Sequence, residues 1–98
     1  MNTEADLGAL LMQRLAIVQE IAGLNARQLK CQQEIGGVEL EGERCERDVA
    51  EGVPGAPARL EALRVQLAQA VARFAAAREE LTASEDRLDA VDRQLAGR

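Results

Sequence analysis

Aromatic side chains are almost missing from this chain: Phe74 stands alone, with no tryptophan, tyrosine or histidine in 98 residues. Large rings anchor most globular cores, so their scarcity argues against a compact multilayer domain. The lack of histidine removes the usual activator of a cysteine or serine nucleophile and the commonest metal ligand. Proline is confined to Pro54 and Pro57, which leaves two long stretches without a helix breaker. Positive charge is also in short supply. The formal net charge is −5, from 12 basic and 17 acidic residues, whereas a nucleic-acid surface needs clustered cations to displace counterions. No nucleic-acid partner is therefore expected.

Long apolar runs are absent too. The most apolar segment, LGALLMQRLAIVQEIAGL from Leu7 to Leu24, is interrupted by Gln13, Arg14, Gln19 and Glu20. It has neither the uninterrupted core of a membrane span nor the pattern of a signal peptide, so no direct membrane insertion is expected. The chain is placed in the cytoplasm by default, as a free protein or a peripheral component of a larger complex. Cys31 and Cys45 would lie about 21 Å apart on one straight helix, beyond disulfide reach. They read as buried thiols filling small apolar positions. With no second ligand type nearby, no metal and no cofactor is expected.

What the chain does have is Ala, Leu, Glu, Gln and Arg, all good helix formers, arranged with a strict period. Steps of three and four pick out Leu7, Leu10, Arg14, Ile17, Ile21, Leu24, Gln28, Cys31, Ile35, Val38, Gly42, Cys45 and Val49. Only Arg14, Gln28 and Gly42 in that series are not apolar. The same rule after the prolines picks out Leu60, Leu63, Leu67, Ala70, Phe74, Ala77, Leu81, Ser84, Leu88, Val91 and Leu95. A heptad helix gathers such residues into one seam, where a strand would scatter them over two faces. The fold class is all-α, a long antiparallel two-helix coiled-coil hairpin forming one unit over residues 1–98. Helix 1 is expected over about 4–51, a turn over 52–57, and helix 2 over about 58–96.

Thr3 is a candidate N-cap for helix 1, with Asp6 suited to the positive end of its dipole. The intervening EGVPGAP, Glu51 to Pro57, supplies the reversal. Gly52 accepts a left-handed cap, Val53 before Pro54 is turned away from helix, Pro54-Gly55 favours a tight turn, and Pro57 can open helix 2. Edge charges test the antiparallel arrangement independently. In the g positions, Asp48 faces Arg59, Glu34 faces Arg73, Arg27 faces Glu80 and Glu20 faces Arg87, each pair opposite in sign and equally spaced about the turn. On the other edge Glu46 faces Arg64.

Gly36, Gly37 and Gly42 weaken the middle of helix 1 by about 1 kcal/mol each relative to alanine and leave room for a kink at Gly36-Gly37. The same register sets bulky Phe74 near Ile35 and Gly36, so the glycines are expected to make space for it. They lack the spacing and following Lys-Ser/Thr of a phosphate loop. Arg14, Gln28 and Ser84 interrupt the seam. Gln28 and Ser84 are candidates for setting register or partner choice, and Arg14 is expected to reach water at the open end. No catalytic pairing emerges, and an enzyme is not expected.

A second apolar line remains on helix 1 after the seam is satisfied: Leu11, Leu15, Val18, Ala22 and Leu29, at e and b positions, with Ala26 alongside. These are the candidate protein-binding residues, facing another protein or a second copy of the chain. Helix 2 offers a milder surface at Val65, Ala68, Ala72 and Ala76. The expected function is that of a noncatalytic coiled-coil assembly subunit or adaptor. The alternative is a small chaperone or regulator that shields a partner's amphipathic helix before assembly.

Overall fold

A computed structural model describes residues 3–97, with side chains from residue 4 onward. It is a two-helix antiparallel hairpin, α1 over Thr3–Ala50 and α2 over Ala56–Ala96. The molecule measures 75 × 15 × 14 Å, with a radius of gyration of 21.8 Å, where a compact domain of this length would have about 13 Å. At 1.5 Å per residue a straight helix the length of α1 spans about 72 Å, which accounts for the long dimension. No kink occurs at Gly36-Gly37: α1 is continuous through both, and the slender cross-section leaves no room for a bend. Seam contacts on both sides of the pair hold the helix through its weakest point, since Cys31 and Val38 are both buried against α2. Nor do the glycines make space for Phe74. A methyl group built at Gly36 or Gly37 would meet nothing within 4 Å.

The reversal is built from two interlocked motifs. Val53 N–H donates to the Asp48 carbonyl at 2.9 Å and Gly52 N–H to the Val49 carbonyl at 3.1 Å, with Gly52 at φ 75°. This is the Schellman arrangement that satisfies the last carbonyls of a helix. Ala56 N–H then donates to the Val53 carbonyl at 3.2 Å, with Gly55 at φ 79° and ψ −6°, the geometry of a type II turn with proline and glycine at its centre. Because that turn already uses the Ala56 N–H, α2 starts at Ala56, and Pro57 occupies the second helical position rather than the first. The Cys45 thiol donates to the Ala56 carbonyl at 3.3 Å, and Cys45, Ala56 and Leu60 form a buried plug beneath the turn with Leu63 against it. Thr3 begins α1, but its side chain, and with it the expected cap, lies outside the described residues.

All four expected g-edge ion pairs are present. Arg59 meets Asp48 at 2.6 Å, Arg73 meets Glu34 at 2.8 Å, Arg27 meets Glu80 at 3.1 Å, and Arg87 meets Glu20. The Arg64 partner differs from expectation: its guanidinium lies 3.7 Å from Glu61, one turn earlier in α2, rather than on Glu46. Arg14 reaches water at the open end, its side chain 44% exposed, and also donates through Nε to Asp92 at 2.7 Å across the mouth of the hairpin.

Candidate protein-contact face

The seam is not closed equally on its two sides. On α1 the buried residues are Ile17, Leu24, Cys31, Val38 and Cys45, which recur every seventh position at d; on α2 Ala70, Ala77, Ser84 and Val91 do the same. The a positions behave differently. Ile21, Ile35, Leu67, Phe74, Leu81 and Leu88 are only half-buried; the pattern reverses beneath the turn, where Leu60 at a is buried and Leu63 at d is half-buried. Away from the turn the cause is side-chain size. Small residues at d on α2 are covered completely by the facing side chains of α1, while Leu, Ile and Phe at a are too large to be covered and stay partly exposed. On a heptad wheel d borders g and a borders e, so the tight side carries the four g-edge ion pairs, and the loose side, bridged at the open end by Arg14 and Asp92, faces the second apolar line.

Those ion pairs consolidate the tight side. The Arg87 guanidinium bridges Glu20 and the hydroxyl of Ser84, donating to Ser84 Oγ at 3.0 Å, so Ser84, fully buried in the seam, is satisfied. The hydrogen bond from Arg87 is the main reason the Glu20 carboxyl titrates below its usual range, and it outweighs the opposing effect of desolvation. Arg73 holds its proton more tightly than usual, first through its hydrogen bond to Glu34. Cys31 and Cys45 are free and buried thiols.

On the loose side, every residue of the expected binding line is exposed: Leu11 51%, Leu15 50%, Val18 37%, Leu29 57%, and Ala22 likewise. Met12, on the adjoining face, is 67% exposed. The milder α2 surface, Val65, Ala68, Ala72 and Ala76, is exposed as well. The structure therefore joins two features that sequence reasoning kept apart: the e/b line of α1 is continuous with the half-open a layer between the helices. The signal was in the sequence, in the contrast between Ala70, Ala77 and Ser84 at d and Leu67, Phe74, Leu81 and Leu88 at a. The result is an amphipathic helical surface able to make protein contacts.

Toward the turn this face changes character. Gly42 leaves one a position without a side chain, opening a groove of about 230 Å³ floored by Val38, Leu60, Leu63 and Leu67 and edged by Glu39, Glu43, Glu46 and Arg64. Toward the open end α1 is, by length and composition, long and apolar enough to cross a membrane, with a stretch of mean hydropathy 1.3. Among the described residues no group of three or more cysteine, aspartate or glutamate side chains is arranged to hold a metal ion. Compared with known proteins, the chain matches no family model, no curated protein and no solved structure.

Proposed function

We propose that this protein is a noncatalytic assembly subunit or adaptor, a stiff helical rod whose loose side receives a helix of another protein. The observation that carries the reading is the apolar path, interrupted only by Asn25 and Gln28, from the exposed Leu11, Leu15, Val18 and Leu29 to the half-buried Ile21, Phe74, Leu81 and Leu88. Isolated surface leucines are ordinary, but a periodic line beside an incompletely closed seam is the form left by a missing helix. Covering it would remove several leucine-sized side chains from water, each worth about 1.5–3 kcal/mol when fully buried, with part of that offset by the costs of association. Support for protein contact over bilayer crossing comes from Arg14 and Glu20. These charges, which interrupt the apolar segment, are engaged by Asp92 and Arg87 of α2.

The test is replacement of Leu11, Leu15 and Val18 together by glutamine. Helical circular dichroism should persist while the mass of the assembly measured by native mass spectrometry falls to that of the single chain. An unchanged assembly mass overturns the proposal. A shielding chaperone is separated from a permanent subunit by exchange: displacement of the bound helix by the final assembly partner is the chaperone's signature.

A further inference from the structure

Resting on that reading, we infer that the occupant of the loose side is a basic amphipathic helix of a different protein, not a second copy of this chain. Beyond Leu29 the same e/b line continues through Gln32 and Gly36 to Glu39, Glu43 and Glu46. None of these three glutamates has an ion-pair partner among the described residues, although Arg64 is close enough to line the same groove and pairs with Glu61 instead. The face is thus apolar over its open half and anionic over its turn half. In full overlap two copies satisfy it poorly. Side by side in parallel, they oppose the glutamates to each other; antiparallel, they lay each glutamate cluster on the other's Leu11–Leu29 line, and like charges or desolvated carboxylates are unfavourable in either case. Antiparallel copies staggered so that only their Leu11–Leu29 lines meet leave both glutamate clusters and both Gly42 grooves without a partner.

A helix with an apolar seam and lysines or arginines at one end satisfies both halves. The Gly42 groove adds detail to that fit. Its floor of Val38, Leu60, Leu63 and Leu67 suits the methylene stem of a lysine or arginine, and its glutamate edge suits the cation at the tip. A methyl group at Gly42 would meet nothing within 4 Å, so the space is free for a partner's side chain.

The experiment is a fluorescence-anisotropy titration of the full chain with three dye-labelled designed helices of equal length, all sharing one leucine heptad seam. The first has lysines flanking one end of the seam, the second has glutamates there, and the third has the lysines moved to the opposite face. At low salt the first should bind about tenfold more tightly than the others, the sum expected of a few exposed charge contacts. That preference should vanish in an E39Q/E43Q/E46Q variant and on filling the groove with G42L, both keeping full helicity. L11Q/L15Q should weaken all three peptides alike. Equal binding of the first two peptides, still sensitive to L11Q/L15Q, overturns the basic partner and leaves the adaptor reading standing. Failure of all three to bind a chain that is monomeric by native mass overturns both. A homodimer abolished by L11Q/L15Q, or zwitterionic vesicles preferred to every peptide, overturns the inference in favour of self-association or a lipid surface.

Discussion

The two long sides of this hairpin are built from the same heptads and end in opposite conditions. On one, the d residues are buried and a row of ion pairs covers the junction; on the other, bulky a residues stay partly exposed beside uncovered leucines. The difference teaches that seam geometry alone can divide labour. The tight side determines which residues of α1 meet which residues of α2, and the loose side remains available for a contact that the chain does not make with itself.

The largest effect that would sharpen this contrast comes from truncating one leucine on each side. Leu24, 3% exposed in the seam, should cost about 2–5 kcal/mol when changed to alanine, whereas Leu15→Ala on the uncovered line should stay within about 0.5 kcal/mol. Urea unfolding followed by circular dichroism measures both, and equal losses would erase the distinction between the sides. Next in size is Ala77→Leu. Ala77 is 1% exposed, so the added volume must push the helices apart at a fully covered d layer, at a cost of about 1–3 kcal/mol. A gain in stability there would show that the tight side is not tight.

Gly36→Ala and Gly37→Ala should each stabilise the hairpin by about 1 kcal/mol, because the new methyl groups point into open space; a loss in thermal melts would revive a packing role for these glycines. The smallest effect concerns pH. Glu20's folded-state pKa lies below its ordinary value, chiefly through Arg87. Its contribution is therefore present above the unfolded pKa and lost as pH falls through the folded one. Glu20→Gln should flatten the acid side of a plot of melting temperature against pH, and an unaltered acid limb would remove Glu20 from the account.

Much of the fold was legible in the sequence because three kinds of local signal agreed. Steps of three and four residues defined the seam, Gly52, Pro54 and Gly55 defined the reversal, and the charges of Glu20, Arg27, Glu34 and Asp48 defined the register. What was not legible depended on distances between helices. A heptad assignment treats a and d as equivalent, so it did not separate a buried Ala77 from a half-buried Phe74. The kink allowed for at Gly36-Gly37 came from weighing helix propensity alone, which seam burial on either side overrides. Arg64 was misplaced for a related reason: an exposed guanidinium has several carboxylates within reach, and heptad position does not choose between a partner on its own helix and one across the gap. The binding line itself was visible as a periodic surplus of leucine, but its continuity with the a layer was not.

The double turn at Gly52–Ala56 also dictates the order in which the molecule can form. Every cross-hairpin contact encloses the turn, and the sequence separation grows steadily outward: 11 positions from Asp48 to Arg59, 39 from Glu34 to Arg73, 67 from Glu20 to Arg87, and 78 from Arg14 to Asp92. Closing the outer contacts first would mean restraining a long flexible loop for little return; closing them after their inner neighbours adds only a few residues of new loop at each step. The arms therefore zip outward from Cys45 and Ala56, and the half carrying Leu11, Leu15 and Val18 is the last to be held in place. A helix that docks there would act as a clasp on the least secured end of the rod.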